Sequence, residues 1–343
     1  MSGPKVVLFA GGVGGSRFAL GLRALTRDRW PDGDGGTTAH LTIVANTGDD
    51  MWLAGLRITP DLDSLMYALA GVADDERGWG RKGETERVSA ELTAYGVGWP
   101  WFTLGDLDLG THIARSAWLR DGAPLSEAVR RLSERWPLAA TLLPATDAEV
   151  ETHVLVESDA PGTPESLHFE EWWVRYRGGR RALSFVQQGA EDARPAPGVA
   201  EAVAAADVIL LAPSNPVVSI GTMLGFEGPV GGVPGIPGLR ASVRTASAPV
   251  IGVSPVIGGA VVRGMADACL AATGVRTDAH AIATAYGARA NGGLLDGWVV
   301  DEVDAAADAV VGIRTVARPL WMTDVAASAA IAGAALELAD EYR

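Results

Sequence analysis

Four aspartates in two short turns are the residues of this sequence best suited to chemistry. Asp49 and Asp50 lie in NTGDDMW, directly after an apolar run, and Asp61 and Asp63 lie in PDLDS. If the short segment between the turns doubles back, carboxylates from both turns can share one hard cation. Mg²⁺ is typically held by one or two carboxylates together with substrate phosphates. The pattern therefore favours a divalent cation between the turns, with Mg²⁺ as the expected ion.

The second pair of aspartates also has a structural interpretation. The segment Leu62–Val72 has the apolar spacing of a helix. Asp61 is then well placed as its N-cap, and Asp63 lies in its first turn. Helix capping and metal binding are compatible roles, so both interpretations stay open.

A glycine-rich turn follows the first predicted strand, Lys5–Ala10, and opens a helix. Bare backbone amides at a helix N-terminus can contact phosphate oxygens, assisted by the helix dipole. Arg17, one turn into the helix, can add a charge-assisted contact. The spacing fits neither the dinucleotide fingerprint nor the P-loop, and a tight strand-to-helix turn is the alternative. The candidate phosphate-binding glycines are Gly11, Gly12, Gly14 and Gly15.

A second polar loop, PSNPVVSIG, follows the apolar run Asp207–Ala212. Its prolines make the turn rigid, while serine and asparagine offer directional donors and acceptors. A ligand-binding loop and a structural Asx or Ser turn both fit this pattern. A similar loop with Ser254 follows one strand later, and Arg263 comes after it. The candidate binding residues are Ser214, Asn215, Pro216, Ser219 and Gly221.

His112 lies close to the acidic segment Gly105–Asp108. It is a candidate acid, base or phosphate contact, although a lone histidine is more often structural. The sequence contains no Ser-His-Asp set, HExxH or CxxC, so a triad hydrolase and a zinc enzyme lack support. Cys269 is the one cysteine, which excludes an intrachain disulfide.

Short β-branched runs that end in polar loops predict a Rossmann-like α/β fold. Continuous apolar runs such as Leu41–Ala45 and Pro249–Val253 suit parallel strands buried on both faces. Alternation with helical segments predicts a doubly wound, mainly parallel sheet. Ligands of such sheets bind beyond the carboxyl ends of the strands, so the polar loops should converge on one rim. The Gly/Pro-rich stretch Gly225–Gly238 is predicted as a mobile loop.

The chain divides into three predicted parts. Residues 1–150 are expected to form the nucleotide- and metal-binding α/β part. Residues 191–343 should complete the sheet and add the second nucleotide loop and a C-terminal helix. Between them, residues 151–190 alternate like antiparallel strands and predict a smaller insertion, with Trp172 and Trp173 on one strand and at most one of them facing a ligand.

The composition is that of a soluble globular chain. Of its 343 residues 48% are hydrophobic, and the formal net charge is −14. So acidic a chain repels nucleic-acid backbones, whereas a pocket can still bind phosphate through local amides and a metal. No apolar run is long enough for a signal peptide or a membrane span. We therefore expect a cytoplasmic protein with small-molecule substrates, no nucleic-acid partner and no membrane contact.

Taken in order, these motifs resemble the 2-phospho-L-lactate transferase family. They are AGGVGGSRF, NTGDDMW, GLRITPDLDSLMYALAG, RGWGRKGET, LGDLDLGTH, LHFEEWWVRYR, LLAPSNPVVSIG, SPVIGG, RGMAD and LLDGW. The resemblance covers nearly the whole chain and is strongest to the actinobacterial phosphoenolpyruvate transferase branch. Two departures are Leu107, where many relatives have arginine or lysine, and Thr103, where some have lysine.

The resemblance implies a role in biosynthesis of the deazaflavin coenzyme F-420. Family members transfer phosphoenolpyruvate or 2-phospho-L-lactate from a guanosine diphosphate ester to the ribityl hydroxyl of 8-hydroxy-5-deazariboflavin (Fo), releasing GMP. The resemblance further implies that Asp49 and Asp61 hold Mg²⁺, that the loops Gly11–Gly15 and Ser214–Gly221 bind the nucleotide, and that the protein is a homodimer.

The mechanism that the resemblance implies depends on stabilising the negative charge that develops on the donor. Negative charge grows on the bridging oxygen as GMP leaves, and a cation with loop amides around it would stabilise that charge. Asp50 and Asp63 are the candidates to accept the hydroxyl proton. Two other classes of protein would also use acidic pairs and glycine loops. They are a nucleotide-sugar-type glycosyltransferase or dinucleotide enzyme, and a noncatalytic nucleotide-binding regulator.

Overall fold

The computed structural model describes residues 3–158, 163–305 and 310–342, and within them helices and strands alternate along most of the chain. The helices are α1 (Gly12–Arg29), α2 (Pro60–Ala70), α3 (Arg87–Ala94), α4 (Asp106–Arg120), α5 (Leu125–Ser133), α6 (Val199–Ala204), α7 (Ile220–Leu224), α8 (Leu239–Thr245), α9 (Ala266–Thr273), α10 (Ala279–Tyr286) and α11 (Val325–Asp340). The strands are β1 (Lys5–Ala10), β2 (His40–Ala45), β3 (Met51–Leu53), β4 (Leu56–Ile58), β5 (Thr141–Pro144), β6 (Glu151–Val156), β7 (Glu165–His168), β8 (Ala182–Gln188), β9 (Val208–Leu211), β10 (Phe226–Gly228), β11 (Gly231–Val233), β12 (Val250–Val253), β13 (Val256–Ile257), β14 (Ala260–Val261), β15 (Gly297–Val300) and β16 (Arg314–Ala317).

A seven-stranded sheet in the order β16-β15-β12-β9-β1-β2-β5 forms the centre of the fold. Every neighbouring pair in it runs parallel. From β1 the chain first moves outward through β2 to β5, and later through β9 and β12 to β15 and β16 on the other side. The order therefore reverses between β1 and β9, which is the topological switch point where such sheets bind ligands. The predicted Rossmann-like, doubly wound fold is confirmed.

The two faces of the sheet pack against different layers, as the alternation of side chains along β1 shows. Val6 and Leu8 belong to a buried cluster that includes side chains of α1, α2 and α11. Val7 and Phe9 point to the opposite face and belong to a second cluster with α8, α9, α10 and the antiparallel strands. Because both faces are covered, the central strands are apolar throughout, as the sequence pattern indicated.

Small antiparallel sheets surround the main one. Strands β7, β6 and β8 form one of them, inside the predicted insertion 151–190. The stretch Gly225–Gly238, predicted as a mobile loop, contains the antiparallel hairpin of β10 and β11, so the prediction of a loop throughout was wrong. Trp172 and Trp173 lie in a π-helical turn, Glu171–Arg175, so the strand predicted for them was wrong as well.

Within the described ranges, no helix has both the length and the apolar character needed to cross a membrane.

The packing of α1 on α11 yields a stability prediction. A Cβ atom at Gly21 would overlap the backbone of Ser328 on α11, whereas Gly110, on α4, has open space around it. Gly21→Ala should therefore lower the free energy of unfolding by about 1–3 kcal/mol through overpacking. Gly110→Ala, the matched control, should leave it unchanged or raise it by up to about 1 kcal/mol through helix propensity. Urea unfolding measures both, and a Gly21→Ala protein as stable as the control would contradict the close helix contact.

Candidate active site

A cavity of about 770 Å³ opens at the carboxyl edge of the sheet. The loops after β1, β2, β9 and β12 all contribute to its wall, through Gly12, Asp49, Ser214 and Ser254. The predicted convergence of the polar loops on one rim is thus what the structure shows. Its volume lies within the usual range for small-molecule sites, roughly 300–1,000 Å³.

The side chain of Asn46, the first residue after β2, connects three loops at the floor of the cavity. The two N–H groups of its Nδ2 are shared among three acceptors, Asp49 Oδ2 (3.1 Å), Asp61 Oδ2 (2.9 Å) and the Val218 carbonyl (3.2 Å). Its Oδ1 accepts a hydrogen bond from Thr222 Oγ1 (2.7 Å). One buried amide therefore holds the two predicted metal carboxylates side by side. The sequence interpretation did not select Asn46, although it stands in the NTGDD motif.

Asp61 also joins the acidic turn to the glycine turn. Its Oδ1 accepts a hydrogen bond from the Gly12 amide (2.6 Å), at the N-terminus of α1. Gly12 has a φ of 62°, a conformation that favours glycine. The sequence predicted Asp61 as the N-cap of α2, and this prediction was wrong. Thr59 takes that position and Pro60 begins the helix. The carboxylate of Asp61 turns instead to α1, where the helix dipole favours negative charge.

Burial makes these carboxylates costly to ionise. Burial, with the charge of Asp61, raises the pKa of Asp49 well above its ordinary value. Burial also raises the pKa of Asp61 to about 6, although hydrogen bonds from Asn46 and Gly12 oppose it. Glu170, which also lines the cavity, has a pKa raised to about 8 by burial and by the charge of Asp61. A cation at this position would offset the free-energy cost of ionising these three neighbouring carboxyl groups.

The donor set fits a hard divalent cation. Asp49 Oδ1 is fully buried and has no hydrogen-bond partner among the described residues, so it is available as a ligand atom. Asp49 and Asp61 both offer carboxylate oxygens, the ligand atoms that Mg²⁺ prefers. The amide of Asn46 contacts the other oxygen of Asp49 and one oxygen of Asp61, and so fixes the orientation of both carboxylates. Glu170 adds a carboxylate that the sequence interpretation missed, because only the fold brings it to this wall.

A second buried polar cluster joins α2 to α4. Arg115 pairs with Asp63, and its Nη1 lies 3.1 Å from Nδ1 of His112. Nε2 of His112 lies 3.2 Å from Asp108 Oδ2, and Tyr67 donates a hydrogen bond to Asp108 Oδ1 (2.6 Å). Asp63, Asp108 and His112 have ligand atoms within 4.8 Å of one another, as a cation site would. The Arg115 guanidinium already supplies positive charge there, which makes this cluster a poorer cation site than Asp49 and Asp61.

The structure separates the two predicted proton acceptors. Asp63 lines the cavity and accepts a hydrogen bond from Thr59 in addition to its Arg115 pair. Asp50 is 0% exposed and does not line the cavity. Its carboxylate lies 3.6 Å from Arg57 on β4, and burial raises its pKa despite that charge. Asp50 is therefore not placed to contact a ligand, because its side chain faces the core beneath the β3–β4 hairpin.

The remaining predicted residues also divide by position. Those that line the cavity are Gly11, Gly12, Gly14, Arg17, Ser214, Asn215 and Ser219, and those that do not are Gly15, Pro216 and Gly221. Ser214 Oγ bridges to Gly11 by accepting from its amide (3.1 Å) and donating to its carbonyl (2.7 Å). Asn215 Oδ1 accepts from the amides of Val217 and Val218, which is the Asx turn left open as an alternative. These two side chains thus shape the loop.

Exposed aromatic rings form the outer part of the cavity wall. Trp79, Trp173 and Trp321 line it and are 41%, 36% and 56% exposed, respectively. Trp172, the neighbour of Trp173, is buried and donates its indole N–H to the Arg180 carbonyl. One tryptophan of that pair therefore faces the cavity, which agrees with the prediction that at most one would, although the pair lies on a helical turn. Such rings suit a planar aromatic ligand.

The fold and the cavity define a Rossmann-like α/β protein with paired carboxylates at the sheet's switch point. The family described as "2-phospho-L-lactate transferase CofD" matches residues 6–330, so the chain belongs to the CofD family and is a transferase. Proteins named phosphoenolpyruvate transferase from Streptomyces griseus and Thermobifida fusca are 50% and 51% identical over 342 and 340 residues, each covering 99% of both chains. The noncatalytic alternative is therefore wrong.

A third relative and two solved structures agree with this family and fold. The phosphoenolpyruvate transferase of Mycolicibacterium smegmatis is 49% identical over 335 residues, 98% of either chain. Two crystal structures from Bacillus halodurans, one described as a UPF0052 family member, match with TM-scores of 0.58 and 0.59. They cover 97% and 98% of this chain and 99% of the solved chains. At 16% and 15% identity they show the fold alone.

The buried carboxylates predict how stability depends on pH. Because the folded-state pKa values of Asp61 and Glu170 are raised, the folded protein binds their protons more tightly than the unfolded chain does. Metal-free protein should thus lose stability as pH rises from about 4 toward 8, by at most about 1.4 kcal/mol per pH unit for each group. Urea unfolding in EDTA measures the slope, and millimolar Mg²⁺ should reduce it because a bound cation favours the ionised forms.

Glu170→Gln isolates one of the two groups. The metal-free variant should show a shallower loss of stability than the wild type between pH 6 and pH 8, because the raised pKa of Glu170, about 8, makes this carboxyl group one of those that titrate there. Equal slopes for the two proteins would contradict the buried, proton-holding state of Glu170.

Proposed function

We propose that this transferase moves phosphoenolpyruvate from a guanosine diphosphate ester to the ribityl hydroxyl of Fo, releasing GMP, in biosynthesis of coenzyme F-420. The observation that carries the proposal is the pair of buried carboxylates, Asp49 and Asp61, held by Asn46 directly beside the glycine turn. The relatives named phosphoenolpyruvate transferase favour phosphoenolpyruvate over 2-phospho-L-lactate as the transferred group. A cytoplasmic location, expected from the sequence, and a homodimer, implied by the family resemblance, are further proposals.

The donor would lie with its diphosphate against the glycine turn. The first-turn residues Val13 and Gly14 of α1 line the cavity, and amides at a helix N-terminus favour phosphate oxygens. Arg17 lines the same wall, is exposed, and has no hydrogen bond or ion pair with any residue in the described ranges. Its guanidinium is thus available for a charge-assisted contact with a phosphate.

The acceptor would use the aromatic part of the wall. Fo is a planar ring system with a polar ribityl chain. Trp173 and Trp321 offer exposed rings at the outer cavity, and Trp79 adds a ring that the Arg77 guanidinium covers on one face, whereas the carboxylates lie at the cavity floor. An acceptor stacked on the outer rings would extend its chain toward the floor. This arrangement holds both substrates at once, as direct transfer requires.

Asp49 and Asp61 would hold the Mg²⁺. The ion, when bound, would neutralise charge on the diphosphate and on the departing GMP. The protein itself contributes the orientation of the two carboxylates by Asn46, the amides of the glycine turn, and a proton acceptor. Asp63 is the better placed of the two proposed acceptors, because it lines the cavity and Asp50 does not.

Cys269, the one cysteine of the chain, does not line the cavity and is poorly suited to form a covalent intermediate. Cys269 is fully buried, its thiol accepts a hydrogen bond from Asn215, and burial raises its pKa to about 12. A thiol in that state is a poor nucleophile. The hydroxyl of Fo would therefore attack the phosphorus of the donor directly.

Substitution of the paired carboxylates tests the proposed function. Asp49→Asn and Asp61→Asn should each lower the rate of Fo-dependent GMP release by about 100-fold or more, since the charge that binds the cation is lost. Asp34→Asn, at an exposed surface position, is the control and should keep full activity. The assay follows GMP by chromatography and the Fo product by mass spectrometry.

The same assay distinguishes the two possible donors. The enolpyruvyl ester of GDP should be used more efficiently than the lactyl ester. Absence of any product from either ester with wild-type protein would reject the proposed function, whereas full activity in both aspartate variants would reject the role proposed for the two carboxylates.

A further inference from the structure

Two arginines are the cationic side chains in the described wall of the cavity, and Arg17 beside the glycine turn is one of them. The other is Arg263, on the segment between β14 and α9. Arg263 is exposed and makes no hydrogen bond or ion pair with any part of the chain that the structure describes. A chain with a net charge of −14 has many carboxylates that could pair with a free guanidinium, so an unpaired arginine in the cavity wall is notable.

The guanidinium of Arg263 lies against another segment of the cavity wall. The turn after α2 passes directly beside it, because the guanidinium occupies the space that a Cβ atom at Gly78 would need. Gly78 has a φ of 79° and lines the cavity next to Trp79. Gly264, the residue after Arg263, has a φ of 86°. The lack of side chains at Gly78 and Gly264 therefore leaves room for the arginine where these two segments of the cavity wall meet.

The carboxyl groups of the cavity wall determine which group of a ligand Arg263 can bind. The wall includes five carboxyl groups, those of Asp49, Asp61, Asp63, Asp108 and Glu170. A ligand with several negative charges needs a counter-charge for each anionic group in this surrounding. Arg17 lies with the glycine turn, so it serves the diphosphate. An anionic group away from the diphosphate would need Arg263.

We propose that Arg263 binds the carboxylate of the three-carbon acid that is transferred. The proposal rests on the proposed function, which gives the donor one carboxylate in addition to its diphosphate. A planar guanidinium pairs with a carboxylate through two parallel N–H···O bonds, which fixes the orientation of the acid as well as its position. Arg263 is on this account a specificity-determining residue that selects donors carrying an acid group.

The test compares three ligands that differ in the acid group. They are the enolpyruvyl ester of GDP, GDP itself, and a GDP ethyl ester without a carboxylate. Arg263→Gln should weaken calorimetric binding of the enolpyruvyl ester by about 10- to 100-fold, the usual loss for a charge-assisted hydrogen bond. Binding of GDP and of the ethyl ester should change by less than about twofold, since neither carries the recognised group.

Two further variants serve as controls. Arg17→Gln should weaken all three ligands together, because each carries the diphosphate. Arg263→Lys keeps the positive charge but loses the planar pair of donors, so it should recover part of the affinity for the enolpyruvyl ester that Arg263→Gln loses. Thermal unfolding midpoints near the wild-type value would show that the exposed Arg263 can be replaced without loss of the fold.

Equal weakening of GDP and the enolpyruvyl ester in Arg263→Gln would overturn the proposal and make Arg263 a phosphate contact. Unchanged binding of the enolpyruvyl ester would overturn it as well. Because binding is measured without Fo, these outcomes are independent of turnover. A wild-type protein that binds the ester through Arg263 but forms no Fo product would reject the proposed function and leave the carboxylate contact standing.

Discussion

The hydrogen bonds of the Asn46 amide are the interaction on which the rest of the site depends. Two carboxylates buried next to each other repel, and the fold brings Asp49 and Asp61 together without a cationic side chain between them. The Asn46 amide donates to both, so each keeps part of the stabilisation that water would have given. Its oxygen is held in turn by Thr222 on α7, so the amide cannot rotate away without breaking several bonds.

This arrangement ties the acidic turns to the rest of the cavity. Asp61 continues from Asn46 to the Gly12 amide, and Ser214 joins the same turn to the loop after β9. On the other side of α2, the Arg115 pair with Asp63 fastens that helix to α4. The parallel sheet supplies the common edge, and these polar contacts set the distances between the loops that it brings there. Arg17 and Arg263 of the wall make no ion pair with any described residue, so both are available to ligands.

Much of the fold could be predicted from sequence, because buried parallel strands produce continuous apolar runs. The runs Lys5–Ala10 and Pro249–Val253 correspond closely to β1 and β12, and the polar loops after them meet as expected. The errors arose where tertiary contacts override local patterns. Asp61 looks like an N-cap, yet Thr59 takes that position and frees its carboxylate for Gly12. Glu170 stands in the motif LHFEEWWVRYR, but nothing in the local pattern indicates that folding brings it beside Asp61.

The most direct test of the account is to locate a divalent cation in crystals grown with Mn²⁺ and GDP. Manganese replaces magnesium at oxygen sites and is identified by its anomalous scattering. We expect an anomalous peak for Mn²⁺ within bonding distance of the carboxylates of Asp49 and Asp61, with a diphosphate oxygen as a further ligand of the ion. A peak at Asp63, Asp108 and His112, or density for GDP with no cation at Asp49 and Asp61, would contradict it.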